Sequence, residues 1–207
     1  PILFLPGDTY ANRMPDPVLQ QVEHFNNPST TANDAFKPVT RYFDRITRPE
    51  QIIQSFPIAV QTMLDPADCG PACIALSQDI QGQTFDYPEE FFKERVHTIR
   101  RPRPDEFQIK EAAEKIKSSK NPIIISGGGV FYSDAMEELS QFAIKHNIPV
   151  TQTVMGYSTM KRDHSHYAGQ IGGLGGKNTN TLAKETDLAI AVGTKLADFT
   201  TGSWANF

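Results

Sequence analysis

Apolar residues along the chain fall into two patterns, short unbroken runs and stripes at helical spacing. Residues 123–125 are three consecutive isoleucines, a β-branched run with no polar break that predicts a strand buried on both faces. Residues 148–153 and 187–192 read the same way, so 122–126, 148–153 and 187–192 are predicted as three strands of one sheet. Between the first two, Met136, Leu139, Ala143 and His146 share one helical face, and Asp134 with Glu137 occupies the places of a capping box. Strand, glycine turn, helix, strand is a βαβ unit, which predicts an α/β fold of parallel sheets with flanking helices.

The front of the chain carries a second set of elements. Residues 1–7 and 71–76 read as buried strands. Thr47 and Glu50 form a capping box with Pro49 in the first turn, opening a helix whose stripe is Ile52, Ile53, Phe56, Ala59, Val60, Met63 and Leu64. Pro57 removes the bond to the Ile53 carbonyl and predicts a kink there. Residues 8–36, rich in Pro, Asn, Thr and Asp, read as a long loop with one short helical possibility at 17–25. The pattern fades over 82–104, an ordered linker whose Arg100, Arg101 and Arg103 read as solvated rather than as an anion site. Asp105 and Gln108 then cap a helix with Ile109, Ala112, Ala113 and Ile116 as its stripe, and Asn178 is expected to cap another through Glu185. The predicted organisation is a first domain at 1–81, a linker at 82–107 and a second domain at 108–207.

Composition narrows the partners. With 39% hydrophobic and 21% charged residues and a net charge of −4 over 207 residues, nothing points to nucleic acid or an anionic membrane. No apolar run approaches the roughly 20 residues a membrane helix needs. Cys69 and Cys73 are the only cysteines, too few for a disulfide framework or a zinc site, and read as two part-buried thiols of a cytoplasmic protein. His164 and His166 alternate as metal ligands would, but no carboxylate or cysteine stands at matching spacing, so no metal site is expected. The chain begins at Pro1 within a strand pattern and stops at Phe207 without a closing element, which reads as a piece of something longer.

Candidate chemistry centres on Gly127, Gly128 and Gly129. A dinucleotide fingerprint needs glycines at its first, third and sixth places. Gly127 and Gly129 fit, Tyr132 fills the sixth place, and residues 149–153 lack the acidic residue expected at the second strand's end. Glycines for tight strand-to-helix packing are the favoured reading. Should a nucleotide bind, the cofactor-binding set is Gly127, Gly128, Gly129, Thr153, Met155 and Gly156. The glycines of 172–176 either approach a phosphate or let the loop fold flat. The Gly-x-Ser-x-Gly elbow, the Walker loop and the zincin helix are all missing, and no residue reads as catalytic.

Several segments resemble thiamine-diphosphate enzymes. Residues 34–81, with Lys-Pro-Val-Thr-Arg-Tyr at 37–42 and Gly-Pro-Ala-Cys-Ile-Ala-Leu-Ser-Gln-Asp-Ile-Gln at 70–81, resemble the end of the pyrimidine-binding domain. Residues 108–207 resemble the first half of the Rossmann-like central domain. The pieces that carry this are Asn-Pro-Ile-Ile-Ile-Ser-Gly-Gly-Gly-Val, Pro-Val-Thr-Gln-Thr-Val-Met-Gly and Gly-Gly-Leu-Gly-Gly-Lys-Asn-Thr-Asn. Two branches compete: acetolactate synthase-like carboligases, which hold FAD on the glycine turn, and hydrolases of inositol catabolism that cleave a C–C bond in a cyclic dione. Phe-Leu-Pro-Gly-Asp at 4–8 and Ala-Asp-Phe-Thr-Thr-Gly-Ser-Trp at 197–204 look more like the hydrolases. The third possibility is a nucleotide-binding central domain without catalysis of its own. The resemblance implies thiamine diphosphate with Mg²⁺, bound by residues before Pro1 and after Phe207, a small cyclic dione as substrate, and a homodimer or homotetramer. It argues against FAD, because Lys195 stands where the carboligases carry an arginine fork and Phe131 and Tyr132 add bulk beside the glycines.

Overall fold

The computed structural model describes residues 1–15 and 24–207. The helix expected over 17–25 lies, for residues 17–23, outside the described residues. The chain divides into two compact units, residues 1–101 and 102–207.

The first unit is a parallel sheet built around the strand Ala72–Ser77. Strands β1 (Leu3–Phe4) and β2 (Gly7–Asp8) run along one edge, and β3 (Tyr42–Ile46) runs along the other. Helix α1 spans Ile52–Leu64, β4 is Ala72–Ser77, and the one-turn helix α2 (Gln78–Gln81) follows it. β1 and β2 keep one register on β4, from Leu3 opposite Ala72 to Asp8 opposite Ser77. They are one strand interrupted at Leu5 and Pro6. Proline has no amide to give the ladder, but the Pro6 carbonyl still accepts from the Leu76 amide at 2.9 Å. The expected buried strand over 1–7 is therefore an edge strand, with Ile2, Phe4 and Leu5 exposed. Burial concentrates in β4, where Ala72, Cys73, Ile74 and Ala75 are wholly enclosed.

α1 runs without interruption through Pro57 and buries Ser55 and Ala59, with Ile52 and Met63 packed on the core. Phe56, expected in that stripe, is exposed. The cap also differs: Gln51, not Thr47 with Glu50, accepts from the Thr47 and Arg48 amides at 2.7 and 3.1 Å. A short 3-10 turn, Pro49–Gln51, precedes the helix and moves the cap glutamine one residue along. The cysteines divide as well, Cys69 exposed and Cys73 buried, rather than both being part-buried.

The second unit holds a second parallel sheet. Its elements are α3 (Glu106–Ser118), β5 (Pro122–Ser126), α4 (Gly128–Tyr132), α5 (Met136–His146), β6 (Val150–Gln152), β7 (Tyr167–Gln170), α6 (Lys177–Lys184), β8 (Leu188–Val192) and α7 (Asp198–Thr201). The strand order is β7-β6-β5-β8, so the chain winds outward from β5 and then crosses back to its other side. Ile123, Ile124 and Ile125 are buried on both faces, as a central parallel strand requires. One core packs Ile124 with Val130, Leu139, Ala143, Ile148, Val150 and Met160; the other packs Ile125 with Ile171 and Ala183.

Two expected helix starts and one stripe residue take another form here. Asp134 does not cap: it sits at φ 54° between α4 and α5, and the N-cap of α5 is Ala135. Asn178 lies inside α6, whose N-cap is Gly176. His146 leaves the α5 core stripe and sets its ring at a tilt against Phe142 instead, centroids 4.5 Å apart. Asp105 does cap α3, accepting from the Phe107 and Gln108 amides.

Candidate functional site

The carboxyl ends of β5, β6 and β8 meet at a single place, and the sequence pattern's six candidate residues gather there. Gly127 follows β5, and its amide donates to the Val192 carbonyl at the end of β8 (2.9 Å). The Gly129 amide donates to the Gly193 carbonyl (2.8 Å). On the other flank, Thr153 opens a 3-10 turn, Val154–Gly156, with its hydroxyl accepting from the Gly156 amide (3.1 Å) and its own amide bonded to the Ser126 carbonyl (2.9 Å).

The glycines are used for close approach of backbone to backbone. A Cβ on Gly129 would lie 2.6 Å from the Gly193 Cα, one on Gly128 would lie 2.9 Å from the Met155 carbonyl, and one on Gly156 would overlap the Ser126 carbonyl oxygen. The turn is thus closed against its two neighbours, with the Gly127 and Gly129 amides already spent on β8 and the residue after it. Met155 alone of the six projects outward, 75% exposed.

Behind the turn lies a polar network that periodicity does not reveal. The Ser126 and Thr159 hydroxyls bond at 2.7 Å, Thr159 donates to the Gly156 carbonyl, and Gln152 donates to the Met160 carbonyl at 2.9 Å. Ser126, Gln152 and Thr159 are all buried, and their mutual bonds offset the cost of burying them. The only outward sign was a polar Thr-Gln-Thr run inside a strand pattern. None of these groups titrates near neutral pH, so the turn can hold and shape but cannot transfer a proton.

His164 and His166 are tied to neighbouring elements. His164 Nε2 bonds the Ser140 hydroxyl of α5 at 2.9 Å, and His166 Nε2 bonds the Asn147 side chain at 3.1 Å. Among the described residues no group of three or more His, Cys, Asp or Glu is placed to hold a metal ion.

The first unit's charged cluster is also structural in geometry. Asp8, fully buried, accepts from Arg45 Nε at 2.5 Å, and Asp34 accepts from Arg45 Nη2 at 2.6 Å. Arg45 also donates to the Thr31 hydroxyl and the Ser29 carbonyl, so one guanidinium ties β2 and β3 to residues 29–34. Burial alone would raise the Asp34 pKa, but bonds from Lys37, the Thr31 amide and Arg45 outweigh it and hold the carboxyl far below the usual carboxylate range. Burial, with Asp8 nearby, pushes the Cys73 thiol up.

Residues 109–207 match the family model described as the thiamine pyrophosphate enzyme central domain. Over all 207 residues the chain is 51% identical to a 3D-(3,5/4)-trihydroxycyclohexane-1,2-dione hydrolase of Clostridium perfringens, and it covers 32% of that protein. It is 49% identical to the same-named protein of Bacillus velezensis and 46% to that of Shouchella clausii, again over the whole chain and 32% of each relative. The chain thus spans about a third of the length of the curated relatives it matches. Among solved structures, a thiamine diphosphate-dependent 4-hydroxybenzoylformate decarboxylase of Rhodococcus jostii superposes with a TM-score of 0.73. At 20% identity, over 94% of this chain and 35% of the other, that likeness speaks for the fold.

Proposed function

The chain belongs to the thiamine pyrophosphate enzymes through its central domain, and from that premise we propose that the whole protein hydrolyses a ring C–C bond of 3D-(3,5/4)-trihydroxycyclohexane-1,2-dione. The observation that carries this reading is half identity to the dione hydrolases along the entire chain. An acetolactate synthase-like carboligase is the runner-up. In this division of labour, residues 1–81 complete a pyrimidine-binding domain, 82–107 link it onward, and 108–207 begin the central domain.

Thiamine diphosphate, when bound, supplies a carbon nucleophile and an electron sink for breaking a bond next to a carbonyl. The described residues do not fit its metal–diphosphate end, since no group of three or more His, Cys, Asp or Glu among them is placed to hold a metal ion. No chemical step is therefore assigned to this stretch. Its part is to build two parallel sheets and close the glycine turn. Magnesium as the divalent ion, a cytoplasmic location and a homodimer or homotetramer belong to the same reading, and family resemblance is what supports them.

Flavin is left out of this reading. The Gly127 and Gly129 amides already donate to the Val192 and Gly193 carbonyls, and Lys195 offers a point charge where planar phosphate recognition needs a fork. We expect a colourless full-length protein, and a stoichiometric flavin spectrum would overturn that. The assay that tests the function itself compares two substrates on full-length protein with thiamine diphosphate and Mg²⁺. Loss of the dione with release of an acyclic acid supports the proposal. Robust acetolactate formation from pyruvate, with the dione untouched, transfers the assignment to the runner-up.

A further inference from the structure

The two edges of the second sheet are built differently. β7, at one edge, reads Tyr-Ala-Gly-Gln, and the pairing of β6 with it slips register between Val150 and Thr151. Short polar strands and bulges are how sheets protect an edge that stays exposed. β8, at the other edge, reads Leu-Ala-Ile-Ala-Val, with no charge, no proline and an unbroken register on β5. That is the composition of a parallel strand covered on both faces. Yet among the described residues β8 pairs with β5 alone, none of its five residues is fully buried, and Ala191 is exposed.

The backbone of β8 is half used. The Val192 carbonyl accepts from the Gly127 amide, just past the end of β5. Backbone groups of successive strand residues point to opposite sides of the ladder. Leu188, Ile190 and Val192 therefore face β5, while Ala189 and Ala191 offer their amides and carbonyls to the open side. Beside this edge an apolar hollow of about 360 Å³ opens on the face that carries α5, where Ile190 and Val192 line it with Val130, Leu139 and Phe142.

The path of the chain points the same way. α5 leads from β5 to β6 over one face, and α6 leads back from β7 to β8 over the other, where Ala183 packs with Ile125. A right-handed connection that leaves β8 outward has to use the α6 face again. The residues after β8 turn onto that face, with Leu196 and Phe207 packed against the core of Ile125, Ile171 and Ala183.

We infer that β8 is an interior strand of the full-length protein: its open edge takes a further parallel strand of the same polypeptide, one that follows residues 1–207 in sequence. The relatives have the length for it, since the chain covers 32% of the Clostridium perfringens protein. A second copy does not suit this edge. Copies related by a two-fold axis present identical patches to each other, so β8 would meet β8 antiparallel. Antiparallel pairing goes with alternating apolar and polar residues, not with five apolar ones in a row. The inference is independent of the substrate, so its failure and that of the dione reading are separate results.

Residue-resolved amide exchange in the wild-type full-length protein tests the pairing, with Ile190, which faces β5, as the internal reference. Ala189 and Ala191 are expected to exchange within about tenfold of Ile190. An open edge would leave the two alanines at least about a hundredfold faster than Ile190 and would overturn the inference. An electron cryomicroscopy map of the same protein identifies the neighbour. A parallel strand traced to the same chain after position 207 is the expected result. The β8 of a second copy, or any neighbour that is not a strand, would overturn it.

Discussion

Replacing Arg45 with methionine keeps much of the side chain's length and apolar stem while removing its charge. Asp8 would lose the guanidinium at 2.5 Å and stay fully buried, with the Thr9 amide as its remaining bond. Removing one partner of a buried ion pair costs about 3–5 kcal/mol, because the other charge is left uncompensated. Arg45 keeps a fifth of its side chain in solvent, so water can reach part of the cluster and the lower end, about 3 kcal/mol, is expected. Asp8→Asn removes the stranded charge in advance. In that background Arg45→Met should cost only about 1 kcal/mol, leaving a coupling of about 2 kcal/mol between the two sites. Amide exchange of β4 in the full-length protein is the suitable readout, because its protection reports opening of the first unit whatever the remainder does. A loss below about 1 kcal/mol in the single variant, or strict additivity in the double variant, would refute the view of Arg45 as the counter-charge that makes Asp8 tolerable.

The same cluster sets a pH dependence. The folded pKa of Asp34 is depressed, so its contribution is present above the ordinary aspartate value near 3.8 and is lost as pH falls below it; the stability gap between wild type and Asp34→Asn should hold steady above about pH 5 and shrink as pH falls from about 4 to about 2 in urea titrations. Gly156→Ala drives a Cβ into the Ser126 carbonyl, whereas Gly82→Ala meets nothing within 4 Å. The first should lower stability by roughly 1–3 kcal/mol or more and the second by under about 0.5 kcal/mol, and equal melting temperatures would contradict the packing role of the turn. With iodoacetamide, exposed Cys69 should be alkylated well before buried Cys73, whose thiol pKa is raised; peptide mapping that finds Cys73 modified first would count against its enclosure.

Periodicity made the second sheet legible because its strands are apolar on both faces. β5 was readable to the residue from three isoleucines, and β8 to within one. β3 escaped because Asp44 and Arg45 break the apolar pattern of Tyr42, Phe43 and Ile46; Arg45 is tolerated through Asp8 and Asp34, distant in the chain, and Asp44 accepts from the Tyr42 hydroxyl. β7 escaped because Tyr-Ala-Gly-Gln is short, polar and bulged, its register slipping between Val150 and Thr151. Of the candidate site, the six residues could be named in advance because glycines after a strand and a Thr-x-Met-Gly turn are local signals. What fills the space between them was not readable. Gly193 against Gly129 and Ser126 with Thr159 are tertiary pairings, and so is Asn180 with Gly172 and Asn206. The misplaced caps at Thr47, Asp134 and Asn178 share one cause: a favourable side chain stood one to three residues away from where the backbone entered the helix.

Under the proposed function, the full-length protein opens the ring of the trihydroxylated dione by adding water across a C–C bond. Mass spectrometry of the product formed in ¹⁸O-labelled water tests it most directly, with thiamine diphosphate present and then withheld. The expected product is an acyclic acid with the mass of the dione plus one water, its carboxyl group carrying the label, formed only with the cofactor present. A dione recovered unchanged, while the same preparation converts pyruvate to acetolactate, would contradict the claim.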